Sequence, residues 1–330
     1  MITSVFVTRE IPDEGLKMLR RDKRLKIEVY EGDKLMPRRE LLRRVKGKDI
    51  ILSMLTEKID REVMDAAGPS LKMIANYAVG FDNIDLKEAA KRRLVVTNAA
   101  HPNVSETVAE HTIAMIFALA HRLVESDHFT RQGKYKGWEP QLLLGTDITG
   151  KTLGLFGSGN ISGMVARRLR EGFGVNILYT NVDRRPDFEK THKATFRTKD
   201  QLLRESDFVS LHVPLLPSTK HLIDDKALGL MKKTAYLINT ARGPVVDSAA
   251  LVRALKKGKI AGAGLDVFEG EPQFALRKVD ADYLQHAWNV ILTPHTASAT
   301  IETRQAMSRT AAENILTFMK GKTPPNIVKK

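Results

Sequence analysis

Three side chains of unlike chemistry stand beyond consecutive apolar runs in the second half of the chain. Arg242 lies in Asn239-Thr240-Ala241-Arg242-Gly243-Pro244, and Glu271 in Asp266-Val267-Phe268-Glu269-Gly270-Glu271-Pro272. His295 lies in Thr293-Pro294-His295-Thr296-Ala297. A guanidinium is a planar fork that grips a carboxylate through two parallel hydrogen bonds and can polarise a neighbouring carbonyl. An imidazole titrates near neutrality, so it can give a proton to a carbonyl oxygen and take it back. A carboxylate beside that ring orients it and favours its charged form. Together the three suit reduction of a 2-keto acid, with His295 as acid/base, Glu271 orienting it and Arg242 on the substrate carboxylate. Each alone has a plainer reading: Arg-Gly as a turn, Glu-Pro as a loop, a single His as a packing residue. What joins them is place, because parallel α/β sheets gather function at the carboxyl ends of their strands.

Such a reduction needs a hydride source, and residues 151–180 supply a place for one. Thr152–Phe156 reads as a short buried strand. Gly157-Ser158-Gly159-Asn160-Ile161 then makes a tight turn into a helix, with Gly172 and Gly174 as its stop signals. Gly157 allows the sharp exit from the strand. Gly159, without a Cβ, lets backbone approach a pyrophosphate, and the helix start offers free N–H groups and a positive dipole end. Ser162 stands where the third glycine of G-x-G-x-x-G is usual, with Gly163 one place later. An acidic residue about 20 positions on would hold the ribose hydroxyls of NAD. Here the next strand leads into Asn181-Val182-Asp183-Arg184-Arg185. Asn181 with Arg184 or Arg185 would accept a 2′-phosphate, whereas Asp183 would serve NAD if the turn is longer; the balance favours NADP. A fourth strand, near Phe208–Val213, ends in His212-Val213-Pro214, where His212 reads as a wall of the cofactor pocket rather than a second acid.

The elements that must position these residues alternate strand and helix along nearly the whole chain. Before residue 98 strands are expected at Ser4–Thr8, Ile27–Tyr30, Ile50–Met54, Met73–Tyr77 and Leu94–Thr97. Helices are expected at Asp13–Arg21, Pro37–Val45, Arg61–Ala67 and Leu86–Arg93. That pattern implies an α/β fold with a parallel sheet of its own. Asn98–Asn103 reads as a hinge, and Ser105–Val124 as one long helix capped by Ser105 and apolar on more than one face. Tyr135–Gly145 reads as a loop. Alternation then resumes to about residue 294, and Ile301–Lys320 reads as an amphipathic helix. His101, His111, His121 and His128 are best explained by packing.

At 330 residues the chain can build two domains with real cores. It has no Cys, which excludes disulfides and thiolate metal sites, and no metal site is expected. The opening MITSVFVTRE has a strand pattern rather than that of a signal peptide, and no apolar run approaches membrane-spanning length, so a cytoplasmic, membrane-free protein is expected. The formal charge of +14 is spread over stretches such as RRDKR, RREL and KKGK without interleaved aromatics. It reads as a solvated surface that can steer anions, not as a nucleic-acid site.

An ordered series of stretches resembles the D-isomer-specific 2-hydroxyacid dehydrogenases over essentially the whole chain. These are VGFDNIDL at 79–86, SETVAEHTIAM at 105–115, GKTLGLFGSGNI at 150–161 and SLHVPLLPSTKHLI at 210–223, followed by LINTARGPVVD at 237–247, AGAGLDVFEGEP at 261–272 and LTPHTASAT at 292–300. The resemblance implies two Rossmann-like parallel-sheet domains. A flavodoxin-like substrate domain would be discontinuous, from residues 1–100 plus 297–330, and a dinucleotide-binding domain would occupy 101–296. It further implies a homodimer formed through the Ser105–Val124 helix region. Val79 and Gly80 match a loop whose backbone N–H groups meet the substrate carboxylate. Thr107 matches a residue near the cofactor, Asp266 one near the nicotinamide carboxamide, and Thr240 and Ala241 match pocket backbone. Trp138-Glu-Pro and the LYT strand end at 178–180 are most similar to the glyoxylate/hydroxypyruvate reductase branch. Phosphonate dehydrogenases are similar around Gly137–Gly145, but they carry a functional Lys where this chain has Val79. Gln273–Trp288 reads as a long, basic segment that would make the pocket rim unusual. Two other activities fit the same resemblance: oxidation of 3-phosphoglycerate or a sugar acid, and a corepressor-like cofactor sensor.

Overall fold

The computed structural model describes residues 2–32, 35–271 and 276–328. The chain forms two compact units, Met1–Val104 with Ala299–Lys330, and Ser105–Ser298. The first holds strands β1 (Thr3–Val7), β2 (Leu25–Val29), β3 (Ile50–Ser53), β4 (Met73–Asn76) and β5 (Val95–Thr97). They pair in parallel in the order β2-β1-β3-β4-β5, that of a flavodoxin-like doubly wound sheet. β3 and β4 are buried along their whole length because helices cover both faces, so they read as unbroken apolar runs.

The C-terminal helix Ile301–Met319 belongs to this unit. It packs so closely on helix Asp13–Arg21 that a Cβ on Gly15 would lie 2.3 Å from the Ser308 carbonyl oxygen. Gly15 N–H donates to Ser308 Oγ (3.0 Å), and Tyr77 Oη donates to the Arg304 carbonyl (2.7 Å).

The loop after β4 is braced by asparagines. Asn76 Nδ2 donates to the Gly80 carbonyl (2.9 Å) and Asn98 Nδ2 to the Val79 carbonyl (2.8 Å). Asn83 donates to the Met54 and Glu57 carbonyls, tying this loop to the one after β3.

The second unit holds β6 (Thr152–Phe156), β7 (Asn176–Thr180), β8 (Thr195–Phe196), β9 (Phe208–Leu211), β10 (Tyr236–Asn239), β11 (Gly262–Leu265) and β12 (Val290–Leu292). All pair in parallel, in the order β12-β11-β10-β9-β6-β7-β8. The winding therefore reverses between β6 and β9. That is the switch point where a crevice opens beyond the strand ends, and there Gly157 follows β6 and His212 follows β9.

Three expectations need correction. The long helix spans Pro102–Ala120, not Ser105–Val124, and Ser105 lies inside it; Pro102 opens it, and the Asn103 N–H donates to His101 Nδ1 (3.2 Å). It stops at Ala120 because the returning chain takes its last carbonyl. Thr146 N–H donates to Ala120 O (2.8 Å), and Gly145 sits so close that a Cβ would be 2.2 Å from that oxygen. Arg122 turns left-handed (φ 52°), pairs with Glu125, and a separate helix runs Leu123–Arg131. Gly172 is not a stop; helix Asn160–Phe173 passes through it and ends at the left-handed Gly174 (φ 62°). Finally, β9 ends at Leu211, so His212 begins a loop.

Candidate active site

The glycine turn after β6 divides its work among its residues. Gly157 has φ 98°, a region that L side chains rarely enter, and a Cβ there would lie 2.8 Å from the His212 carbonyl oxygen. Around Gly159 nothing approaches within 4 Å of a Cβ, and as the N-cap of helix Asn160–Phe173 it offers no side-chain bond to the helix amides. Ser162 is fully buried, its hydroxyl without a hydrogen-bond partner, and fits the place where glycine is usual. Gly163 is where the space runs out: a Cβ would meet His192 Nε2 at 2.7 Å.

Asn181 faces this turn, its Nδ2 donating to Ser158 Oγ (2.7 Å) and its Oδ1 accepting from the Val182 N–H (2.9 Å). An amide thus stands where an acid is usual. Val182 is 95% exposed and Asp183 is exposed as well. Arg184 lies back on Glu189 through two bonds of 2.8 Å, and Tyr179 Oη donates to the same carboxylate (2.7 Å). The Arg184 and Tyr179 bonds hold the Glu189 carboxyl down at about 2.

His212 meets Ser210 Oγ through Nε2 (3.0 Å), while its Nδ1 is buried without a partner. Burial pushes its pKa down to about 4, so the ring is neutral near pH 7 and unsuited to act as a second acid there. The Pro214 carbonyl accepts from Thr219 Oγ1 (2.6 Å), which closes the turn after Val213.

Beyond β10, β11 and β12, neighbours in the sheet, come the three loops that carry Arg242, Glu271 and His295. Fully buried Asn239 shapes the first. Its Oδ1 accepts from the Ala241 N–H (3.1 Å) and its Nδ2 donates to the Arg242 carbonyl (3.0 Å). The half-buried Arg242 donates from one guanidinium nitrogen to the Ala241 carbonyl (2.8 Å). Thr240 Oγ1 lies 3.0 Å from Thr112 Oγ1, and Thr107 is buried on the same helix. Gly243 presses this turn against the next loop: a Cβ on it would lie 2.2 Å from the Phe268 carbonyl carbon and oxygen.

Buried Asp266 is the post on which the His295 loop is wound. Its carboxylate accepts from Thr293 Oγ1 (2.5 Å), the Thr296 N–H (2.8 Å) and the Ala297 N–H (2.9 Å). Its carbonyl accepts from the His295 N–H (2.9 Å). So held, His295 adopts a left-handed backbone (φ 56°), which for a residue with a Cβ costs about 1–3 kcal/mol and marks a position fixed by its surroundings. Its Nδ1 donates to Glu271 Oε2 (2.8 Å), and Glu271 Oε1 accepts from the Phe268 N–H (2.9 Å). Because the carboxylate is an acceptor only, the proton of the neutral ring sits on Nδ1 and Nε2 is left at the open tip. Pro272 and the first residues of the Gln273–Trp288 segment lie outside the described residues. From Lys278 to His286 the segment is a helix, whose Asp280 accepts from Lys256 (2.9 Å).

Two further histidines lie here, His111, which the sequence reading gave to packing, and His221, which it passed over. His111, on helix Pro102–Ala120, places Nε2 3.0 Å from Thr293 Oγ1 and so touches the His295 loop. His221 Nε2 lies 2.7 Å from Glu269 Oε1, while Glu269 Oε2 accepts from the Ser248 N–H (3.0 Å). Burial tends to raise the Glu269 pKa, yet the His221 and Ser248 bonds outweigh it and hold the carboxyl below its ordinary range. Val79 and Gly80, in the other unit, lie in the asparagine-braced loop after β4, Val79 exposed and Gly80 half-buried.

Among the described residues no helix is long and apolar enough to cross a membrane. Residues 113–297 match the D-isomer specific 2-hydroxyacid dehydrogenase, NAD binding domain. The chain is similar to the glyoxylate reductase of Thermococcus kodakarensis, 47% identical over 335 residues that cover 100% of this chain and 97% of that one. Among solved structures it is similar to a Thermus thermophilus protein (TM-score 0.91, 41% identity, 99% of this chain and 100% of that one covered). It is also similar to the NADPH-dependent glyoxylate/hydroxypyruvate reductase of Sinorhizobium meliloti in complex with NADP and malonate (TM-score 0.84, 32% identity, 99% and 97% covered).

Proposed function

We propose a function from one premise: the chain belongs to the D-isomer specific 2-hydroxyacid dehydrogenase family and is an oxidoreductase that uses a nicotinamide cofactor. The reaction proposed is reduction of a small 2-keto acid of the glyoxylate or hydroxypyruvate kind to the D-2-hydroxy acid. One observation carries it: the His295 ring is held by Glu271 through Nδ1, leaving Nε2 for a proton transfer.

The cofactor supplies a hydride to the carbonyl carbon. The glycine turn fits such a group, since Gly159 leaves backbone open to a pyrophosphate and His212 Nδ1 is buried without a partner. Around it Ser158, Asn160, Ile161, Asn181, Val182, Asp183, Arg184, Val213, Pro214, Thr107, Thr240, Ala241 and Asp266 are the proposed contacts. Asn181 in place of an acid removes the repulsion a 2′-phosphate would meet, which favours NADPH over NADH. Arg184 would have to leave Glu189 to assist.

Arg242 grips the substrate carboxylate as a bidentate fork and polarises the carbonyl. Val79 and Gly80 are assigned backbone N–H contacts to the same carboxylate. His295 gives its Nε2 proton to the carbonyl oxygen as the carbon is reduced, and Glu271 stabilises the charged ring before the transfer and keeps it aligned. A second copy of the chain is the proposed cover for the exposed Leu123, Val124, Tyr135, Trp138 and Leu144, giving a homodimer.

Oxidation of NADPH and NADH with glyoxylate, hydroxypyruvate and 3-phosphohydroxypyruvate tests the reaction. Turnover of one of the first two is expected, with NADPH preferred; no turnover with any would overturn the reading. Light scattering tests the dimer, and a monomeric mass across the micromolar range would refute it.

A further inference from the structure

A second histidine–glutamate pair lies beside the first and plays no part in the proton transfer described. Glu269 Oε1 meets His221 Nε2 at 2.7 Å, and its Oε2 takes the Ser248 N–H at 3.0 Å. These partners come from three different segments. His221 lies in the turn after β9 and has a left-handed backbone (φ 50°). Its N–H donates to the Pro244 carbonyl (2.8 Å), and the Ile223 N–H donates to Val245 (3.1 Å), so its turn is laced to the stretch just after Arg242. Ser248 opens helix Ser248–Lys256, which follows that stretch. Glu269 itself is two residues from Glu271.

Phe268, the residue before Glu269, carries two duties. The Phe268 N–H holds Glu271 Oε1, and the Phe268 carbonyl supports Gly243, the residue after Arg242. A drift of Glu269 shifts the Phe268 backbone, and with it the Glu271 carboxylate and the seat of Arg242. We infer that His221 and Glu269 are positioning residues that keep the acid/base pair and the substrate-gripping arginine in register. This rests on the reaction proposed above. On the neighbouring His295 loop, Glu271 meets His295, Asp266 spends its carboxylate on Thr293, Thr296 and Ala297, and His111 Nε2 lies 3.6 Å from Asp266.

The test compares Glu269→Ala, Glu269→Gln and His221→Ala with the unaltered chain and with His295→Ala, by steady-state kinetics and cofactor titration. A misplacement near 1 Å costs about 100-fold. Glu269→Ala is therefore expected to lower kcat roughly 10-fold and raise KM for the keto acid roughly 10-fold, with cofactor affinity within about twofold of the unaltered chain. His221→Ala should show the same split at smaller size, and it stands in if Glu269→Ala fails to fold. Glu269→Gln should recover most of the loss, because its amide can accept from Ser248 and donate to an unprotonated His221 Nε2. Unchanged kcat and KM in both alanine variants would overturn the inference while leaving the reaction intact. An unaltered chain that turns over no 2-keto acid would overturn the reaction and the inference together.

Discussion

His295 meets Glu271 through Nδ1, and His221 meets Glu269 through Nε2; the two contacts differ by only 0.1 Å, at 2.8 and 2.7 Å. Both histidines have left-handed backbones, and both glutamates spend their second oxygen on a backbone N–H. The residue types are the same, so the difference lies in which ring nitrogen is spent. Nε2 is the tip of the side chain. Spending Nδ1 leaves the tip open for chemistry, whereas spending Nε2 turns the tip inward and makes the ring a brace. A histidine–carboxylate contact alone therefore does not identify an acid/base; an open Nε2 is needed as well. His212 is the third case, with no carboxylate, a neutral ring and a pKa of about 4.

The sharpest way to break the comparison is to remove the open tip. His295→Ala should lower kcat about 10³-fold or more with cofactor affinity retained, the range of a general acid; a loss under about tenfold would dismiss His295 from that role. Next in size is Gly243→Ala, which forces the Arg242 turn away from the Phe268–Glu271 loop that both pairs share. It should destabilise the fold by about 1–3 kcal/mol and lower kcat/KM at temperatures well below its melting point. A fully active, equally stable variant would show that the tight seat is unimportant. Glu271→Gln keeps the shape and removes the charge, so a loss of roughly 10- to 100-fold in kcat is expected, less than for His295→Ala. An equal or greater loss would mean that the carboxylate does more than orient the ring.

The smallest effect concerns His212. Its folded pKa of about 4 lies below the ordinary 6.5, so the unfolded chain takes up the proton first as pH falls. Its share of stability is whole above about pH 6.5 and drains away between there and about pH 4. The shift bounds that share at about 3 kcal/mol, and the true value is smaller because His212 as a whole is half-buried. Melting curves of the unaltered chain and His212→Asn at pH 7.5 and 5 measure it; equal slopes against pH would rule it out.

Much of the fold was legible in the sequence because the strands of a parallel sheet are short apolar runs, and these fell near the observed ones. Thr152–Phe156 and the turn after it were plain for a second reason: Gly157 and Gly159 sit where only a missing Cβ fits the turn or keeps it open. The break at Ala120 was hidden because residues 117–131 contain neither Gly nor Pro. It is imposed from outside by Gly145 and Thr146 on the Ala120 carbonyl. In the site, Arg242, Glu271 and His295 could be picked out as strand-end residues of complementary chemistry. His221 and Glu269 could not, since 48 residues separate them and neither spacing nor periodicity links them. Asn239 was equally silent, because its work is to bond the backbone of the turn that follows it.

Gly15 is pressed against Ser308, two positions at opposite ends of the chain. The face of helix Asp13–Arg21 that bears Gly15 therefore has nothing to lie on until the ribosome has made Ile301–Met319. The unit begun first in synthesis is completed last, while Ser105–Ser298, all of one stretch, has its whole core available earlier. A truncation that spares every residue proposed for chemistry but removes the last helix would strand the opening hundred residues with an uncovered apolar face, a molecule ready to aggregate.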